Sequence, residues 1–285
     1  MLTQKMARFQ RVFVISILIM AGFNILARAS YNEPVFYRYY YNQLDTVQKE
    51  IYDNLIKSQE KFLNGEEIVF AIYAYDVKTK VDLKDYVESV KKVRNAYVYD
   101  NPKAYIWFDV YKSSIFSKEG SIYLKLEPKE EFPNNMKEMI ENFEETSSEF
   151  ISALSGTDEQ KLRNIHDMLR KNAIYDSTTS LPNTRTAYGT IVEGHSVCSG
   201  FAYAYKYLAD LAGLEVVYVV GNLYDKSRDE YYLHAWNVAY VNNEYLLVDV
   251  TLDLGTSEKQ KEKFLLSPIK DGMHYVDDNR FNHNF

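Results

Sequence analysis

Apolar residues recur three or four positions apart along several stretches of the chain, which is the spacing of an amphipathic helix. One stretch runs from Leu44 to Phe62, and Gly65 suits its C-terminal end. A second runs from Asp82, a residue type that caps helix N-termini, to about Arg94. These patterns predict two helices in the first part of the chain.

Three more helices are predicted further along. Residues 133–156 carry the pattern of a long amphipathic helix, and residues 157–172 carry it again after Thr157 and Gln160, which are spaced as a capping box. The last helix is predicted after Ser196, which can serve as its N-cap. Its apolar stripe before the terminating Gly213 consists of Phe201, Ala202, Tyr205, Leu208, Ala209 and Ala212.

Runs of β-branched and aromatic residues predict the strands. In the first half of the chain, around a turn signal at 100–102, these runs are residues 66–77, 104–111 and 121–127. In the second half, residues 214–223 predict one strand. Residues 233–251 predict two more strands, paired as a hairpin around Asn242–Asn243.

The order of these elements predicts an α+β protein with a leader and two domains. We expect a leader over residues 1–29, a smaller mixed α/β domain over residues 30–150, and a second domain over residues 151–285. A chain of 285 residues with 46% hydrophobic residues can bury the cores that this division requires.

The first 29 residues predict a targeting segment rather than a part of the fold. Lys5, Arg8 and Arg11 precede an apolar run at 12–27 that is shorter than the ~20 residues of a membrane span. The run ends at Ala29 in an A-x-A pattern, which suits signal peptidase. We therefore favour a cleaved signal peptide and a secreted or cell-envelope protein. An uncleaved N-terminal anchor and a buried core helix are the alternatives.

The net charge limits the classes of partner that the protein is expected to bind. The chain has 33 basic and 40 acidic residues and a net charge of −7; loss of residues 1–29 leaves 29 basic residues and a net charge of about −11. Such a surface repels nucleic acid and anionic lipid, so we expect no nucleic-acid partner and membrane contact only through an uncleaved N-terminal anchor. The 26 tyrosines suit half-buried sheet faces and surface pockets.

Cys198 is the only cysteine in the sequence and stands at the predicted start of a helix. It cannot form an intramolecular disulfide. The unpaired N–H groups and the positive dipole end of a helix favour the thiolate, which is the nucleophilic form, and can also stabilise an oxyanion. The alternative is a cysteine that only packs in the core.

The predicted hairpin brings a base and an acid to one face of the sheet. With a two-residue loop at Asn242–Asn243, His234 faces Thr251, and Asp249 becomes a diagonal neighbour of His234 roughly 7–8 Å away at Cα. A carboxylate can reach an imidazole nitrogen over this distance. Cys198, His234 and Asp249 thus match the roles of nucleophile, base and orienting acid. The alternative for His234 and Asp249 is an incidental polar pair on a strand.

Three pieces of the sequence resemble the transglutaminase-like superfamily of bacterial type. They are V-C-x-G followed by an aromatic residue, H-A-W-N and V-D-V-T, in the order and spacing of that family within residues 158–285. The resemblance implies a papain-like α+β core, in which the helix that carries Cys198 packs on an antiparallel sheet. It also implies Cys198 as nucleophile, His234 as base and Asp249 as orienting acid. The segment around His274 resembles the C-terminal part of the family, without an implied role.

The resemblance implies thiol-dependent acyl transfer or hydrolysis on an amide or carboxamide bond of a protein or peptide substrate, without a cofactor. Where the family has W-D-D-P, this chain has Leu252-Asp253-Leu254-Gly255. Two non-catalytic alternatives stay open. One is a cell-surface binding or scaffold module that retains the fold, and the other is an export-associated interaction domain with a structural cysteine.

Two other histidines are given structural interpretations. His166 lies in the pattern of a helix and is expected to be a packed or surface helix histidine, and His195 is expected to be solvent-exposed. A metal site made from Cys198, His195, His234 and His274 would lack the short ligand spacing typical of zinc sites, so we expect no metal.

We predict that the exported protein begins near Ser30, because the A-x-A pattern ends at Ala29. N-terminal sequencing of the protein recovered outside the cytoplasm measures this. A chain that still begins at Met1 or Leu2 would show instead that the segment is retained as an anchor.

Overall fold

The computed structural model describes residues 37–63, 71–76, 80–107, 114–119, 121–125, 136–179, 181–254, 263–276 and 278–285. The leader predicted over residues 1–29 lies outside these ranges. These described residues belong to one compact unit. Within the described ranges, no helix combines the length and the apolar character needed to cross a membrane.

The first elements are helices beside a small antiparallel sheet. In chain order they are α1 (Thr46–Leu63), β1 (Ala71–Asp76), α2 (Lys80–Asp100), α3 (Ala104–Trp107), β2 (Ser114–Lys118) and β3 (Ser121–Lys125). β3 lies between β1 and β2 and pairs with both. The first two predicted helices are therefore present, and strands occupy the described parts of 66–77 and 121–127.

Several local predictions in this region are wrong. Helix α2 begins at Lys80 rather than after Asp82, and it continues past Arg94 because its buried apolar face extends to Val98. Residues 104–107 form a helical turn instead of a strand, since Trp107 is fully buried and its indole N–H donates to Gln59 Oε1 at 2.9 Å. The apolar composition there reflects burial rather than pairing. Strand β2 was not predicted.

Two consecutive helices follow, α4 (Met136–Ser152) and α5 (Asp158–Asn172), as the periodicity predicts. The capping box of α5 is confirmed. The N–H of Gln160 donates to Thr157 Oγ1 at 3.3 Å, and the N–H of Thr157 donates to Gln160 Oε1 at 2.8 Å. The last turn of α4 and the first turn of α5 are therefore joined by a short, defined connection.

An irregular segment leads to the helix that carries Cys198. It consists of β4 (Ile174–Tyr175), a π-helical turn (Gly189–Glu193), β5 (His195–Ser196), which pairs parallel with β4, and α6 (Cys198–Leu211). The prediction that Ser196 caps α6 is wrong, because Val197 occupies the N-cap position. The buried hydroxyl of Ser196 instead lies 2.6 Å from Thr190 Oγ1.

Helix α6 is buried on nearly all sides, from Gly200 to Asp210. Gly200 lets it approach the preceding segment closely, since a Cβ there would lie 2.2 Å from Ser196 Oγ and 2.6 Å from Thr184 O. The helix ends as predicted, with Gly213 in the left-handed conformation at φ 73°. The position of Cys198 is therefore fixed by packing along the whole helix.

The second sheet contains β6 (Glu215–Asp225), β7 (Glu230–Val241), β8 (Glu244–Val248), β9 (Leu265–Ser267) and β10 (His274–Val276). Its order is β10–β6–β7–β8–β9, and every pair is antiparallel. The hairpin register is confirmed, with Val241 opposite Glu244 and with φ of 54° at Asn242 and 65° at Asn243. These positive φ angles are those of a type I′ turn.

The pairing of the hairpin ends earlier than predicted. β8 ends at Val248, opposite Asn237, so His234 and Thr251 do not form a ladder pair. Beyond that point the chain turns away from β7, and the N–H of Asp249 donates to the carbonyl of Phe264 at 2.8 Å. Asp249 therefore lies at the start of a loop rather than within a strand.

The α+β fold is confirmed, because α6 packs against β6 and β7 of the antiparallel sheet. Asn237 joins the two layers by donating from Nδ2 to the carbonyl of Ala202 at 3.0 Å. The domain division near residue 150 stays a prediction. Across that position, Tyr40 Oη donates to the carbonyl of Tyr218 at 2.7 Å, and both residues are buried.

Candidate active site

Cys198 is the first residue of α6, a helix of 14 residues, and its side chain is partly exposed. The predicted position of Cys198 at a helix N-terminus is therefore confirmed. The side chain of Val197 makes no capping hydrogen bond, so it leaves the first-turn N–H groups to other acceptors. The backbone N–H of Ala235, from β7, hydrogen-bonds the sulfur of Cys198.

His234 and Asp249 are brought together, as the hairpin argument predicts. Both are buried, and His234 Nε2 lies 2.7 Å from Asp249 Oδ2. The other carboxylate oxygen, Oδ1, accepts the backbone N–H groups of Thr251 at 2.9 Å and Leu252 at 3.1 Å. The loop after β8 thus folds around the carboxylate and holds it toward His234.

The three side chains form one electrostatic chain. Burial raises the pKa of the Cys198 thiol, but the hydrogen bond and charge of His234, helped by the Ala235 N–H, lower that pKa below its usual value. Burial lowers the pKa of His234, and Asp249 and then Cys198 raise it to about 10. For Asp249 the burial penalty is outweighed by His234 and His274, which hold its pKa well below the usual range. These shifts favour a thiolate–imidazolium pair.

His274 is a member of this cluster to which the sequence assigned no role. Its Nε2 lies 3.1 Å from Asp249 Oδ2, and its Nδ1 lies 2.6 Å from Asp271 Oδ2. The Asp271 carboxylate also accepts the backbone N–H of His274 at 2.9 Å. The residues around His274 reach the site because β10 pairs with β6. This pairing places His274 opposite Leu223. Nothing in the local sequence indicates that pairing.

His234, Asp249 and His274 also form a set of donors that a metal ion could use, since their ligand atoms lie within 4.8 Å of one another. Two features favour the hydrogen-bonded arrangement instead. Both Nε2 atoms contact the same oxygen, Asp249 Oδ2, and the distance of 2.7 Å from His234 is shorter than the separation between zinc ligands. With zinc bonds of about 2.0 Å, two tetrahedral ligands would be about 3.3 Å apart.

The remaining predicted histidines lie outside this cluster. His166 is fully buried in α5, and its Nε2 lies 3.1 Å from Asp253 Oδ2, so it packs as a structural histidine. His195 is half-buried rather than solvent-exposed, because its backbone pairs with Ile174 in the β4–β5 ladder. Asp253, which stands at the first aspartate of the W-D-D-P pattern, therefore belongs to the His166 pair.

Comparisons with solved structures find distant similarities. The chain is similar to a crystal structure of a TGase, with 15% identity over 56% of this chain and 50% of that chain and a TM-score of 0.38. It is also similar to a candidate cysteine protease from Cytophaga hutchinsonii, with 15% identity, coverage of 49% and 61%, and a TM-score of 0.32. The chain thus spans about half of the TGase structure's length. No curated protein matches it significantly.

The fold and the site define an α+β protein in which a helix N-terminus presents a thiol to a histidine–aspartate pair. Residues 146–250 match the model of the transglutaminase-like superfamily. The matched range contains Cys198, His234 and Asp249, and ends before His274. This part of the chain is a domain of the transglutaminase-like superfamily.

We predict that Cys198 reacts with iodoacetamide below the usual thiol range, whose midpoint is near pH ~8.5. In His234→Ala the hydrogen bond and charge that lower the pKa are lost while burial remains, so the reaction should move to higher pH. At pH 6 the rate should fall at least about tenfold, which corresponds to one pKa unit. The measurement is the alkylation rate between pH 5 and 10, read by mass spectrometry.

The matched control is His166→Ala, which removes a buried histidine that contacts Asp253 instead of the thiol cluster. This variant should keep the pH profile of the wild-type chain. A wild-type profile with the midpoint of an ordinary cysteine would contradict the thiolate–imidazolium pair.

Proposed function

We propose that the protein is a thiol enzyme that transfers or hydrolyses acyl groups from amide or carboxamide bonds of a protein or peptide substrate. The observation that carries this proposal is that His234, whose Nε2 lies 2.7 Å from Asp249 Oδ2, also interacts with the thiol of Cys198 at the start of α6 and lowers its pKa. A buried structural cysteine does not need a lowered pKa, and an incidental His–Asp pair does not need a thiol partner.

In the proposed reaction, the Cys198 thiolate attacks the carbonyl carbon and forms a tetrahedral oxyanion. The N–H groups in the first turn of α6 are donors of the kind that stabilise such an oxyanion. The imidazolium of His234 gives its proton to the departing amine or ammonia, and a thioester remains. His234 then takes a proton from water or from an acceptor amine, whose oxygen or nitrogen attacks the thioester and releases the thiol.

The choice of acceptor distinguishes a protease, amidase or deamidase, which use water, from a cross-linking transferase, which uses an amine. The same triad supports transfer of the acyl group to water and transfer to an amine, so we propose both reactions. We further propose that the reaction takes place in the cell envelope or outside the cell, because the first 29 residues have the pattern of a signal peptide. The net charge of −7 favours protein or peptide substrates over nucleic acid.

We predict that Cys198→Ala abolishes every covalent change that the protein makes to an envelope extract, because no other cysteine can replace the nucleophile. Wild-type and variant chains are incubated with the extract, and mass shifts of its proteins are compared. Loss of a peptide bond, loss of ammonia and gain of an amine distinguish the three reactions. Equal activity of both chains would exclude Cys198 as the nucleophile. No mass shift with either chain would favour the non-catalytic scaffold module.

We predict that Asp249→Asn lowers turnover by about 10–10³-fold, because the neutral amide no longer stabilises the imidazolium of His234. The loss is expected to be smaller than in serine enzymes, since the helix N-terminus already favours the thiolate. Asp249 is buried and accepts several hydrogen bonds, so the melting temperature should also fall. Turnover is therefore measured well below both melting temperatures.

Asp253→Asn is the matched control, because Asp253 is equally buried and also accepts from a histidine Nε2 and a backbone N–H. It should lose stability and keep its turnover. Equal losses of turnover in both variants would mean that the orienting role was assigned to the wrong carboxylate. Full turnover in Asp249→Asn would mean that Cys198 and His234 act as a dyad.

A further inference from the structure

Large apolar side chains are exposed in the segments that border the residues of the site. In the described part of the chain, most of them fall in three segments, 174–181, 231–233 and 275–276. The first segment is tied by backbone pairing to the residues just before Cys198, the second directly precedes His234, and the third directly follows His274. These segments expose side chains on both faces of the sheet, because Tyr231 and Tyr275 contact each other on the face opposite His234. Only the exposed residues on the His234 face and on the adjoining β4 strand can contact a ligand at the thiol.

Tyr232 belongs to the face of the sheet that carries the site. Side chains alternate along β7, so Tyr232 and His234 project from the same face, and their ring centroids are 6.1 Å apart. Leu223 lies between Tyr232 and His274 in the ladder, which places His274 on this face as well. Tyr232 is nevertheless 45% exposed, so much of its ring is free to contact a ligand.

Tyr175 approaches the same place from the other layer. It pairs with Ser196 in the β4–β5 ladder, two residues before Cys198, and is 46% exposed. Burial and then the charges of Cys198, Tyr232 and Asp249 raise the pKa of its phenol. The phenol is thus close enough to feel groups from α6, from β7 and from the loop after β8.

We propose that Tyr175 and Tyr232, named here the aromatic pair, bind an apolar or aromatic side chain of a peptide substrate beside the carbonyl that Cys198 attacks. This inference rests on the proposed function and adds a substrate class to it. A peptide fits because it supplies both the amide bond that the proposed reaction needs and, next to it, a side chain that the two partly exposed rings can contact. Anionic lipid is disfavoured by the net charge of −7.

The test uses two reagents with the same reactive group, acetyl-phenylalanyl and acetyl-glycyl chloromethyl ketone. In both, Cys198 Sγ bonds to the methylene carbon and chloride leaves. The reagents differ only in the side chain next to the carbonyl. Second-order rates are divided by the rate with iodoacetamide, which reports the reactivity of the thiol alone. The wild-type chain should prefer the phenylalanyl reagent by about tenfold.

Tyr232→Ala and Tyr175→Ala should each lower this preference about threefold or more, because an aromatic contact is lost. Tyr232→Phe, which keeps the ring, should retain it. The matched control is Tyr231→Ala. Tyr231 is the neighbouring residue on β7, is 58% exposed, and lies on the opposite face with its ring 4.9 Å from Tyr224 and 5.5 Å from Tyr275. This control should keep the preference.

An unchanged preference in both alanine variants, or an equal loss in Tyr231→Ala, would overturn the proposal. A lipid-binding role would also overturn the proposal. In that case Tyr232→Ala would keep the preference for the phenylalanyl reagent but would bind phosphatidylcholine vesicles more weakly than the wild-type chain. Failure of the proposed function has a different signature. In that case iodoacetamide itself would react with Cys198 as with an ordinary thiol in every variant.

Discussion

The site depends on one buried carboxylate. Asp249 is 1% exposed, and an ionised carboxylate at such a position is stable only when its oxygens are hydrogen-bonded. Four donors surround it: the backbone N–H groups of Thr251 and Leu252 on Oδ1, and Nε2 of His234 and of His274 on Oδ2. They come from the loop after β8, from β7 and from β10. The hydrogen bonds of this carboxylate therefore depend on β7, on β10 and on the loop after β8 lying next to one another.

The charge reaches the thiol through His234. Asp249 favours the imidazolium, and the imidazolium favours the thiolate of Cys198 against the penalty of its burial. This coupling requires the helix and the sheet to keep a fixed separation. Gly200 allows α6 to lie against the segment before it, and Asn237 bonds the sheet to the carbonyl of Ala202. Contacts between uncharged residues thus determine whether Cys198 and His234 lie close enough to interact.

The local parts of this arrangement could be predicted from the sequence. The Asn242–Asn243 turn fixes the hairpin register, from which alternation predicts that His234 and Asp249 share a face. Their contact is found, although Asp249 lies in the loop just after β8. The helix at Cys198 follows from its apolar stripe and from Gly213. Long-range parts could not be predicted, because β10 carries too short a pattern to indicate that it pairs with β6 and delivers His274. Ser196 was predicted as an N-cap because its residue type and position suit one. In the structure its hydroxyl lies 2.6 Å from Thr190 Oγ1, a contact that the sequence pattern does not indicate.

Two histidine–aspartate pairs in this chain show what separates a structural pair from a reactive one. His166 with Asp253 and His234 with Asp249 are both buried and both join through Nε2. Nδ1 of His166 lies 3.6 Å from Asp167 Oδ1 without a hydrogen bond, so that pair continues to a second acid and not to a nucleophile. His234 shares a hydrogen bond with a partly exposed thiol at a helix N-terminus. A buried carboxylate is linked to solvent-accessible chemistry only where the second ring nitrogen has such a partner.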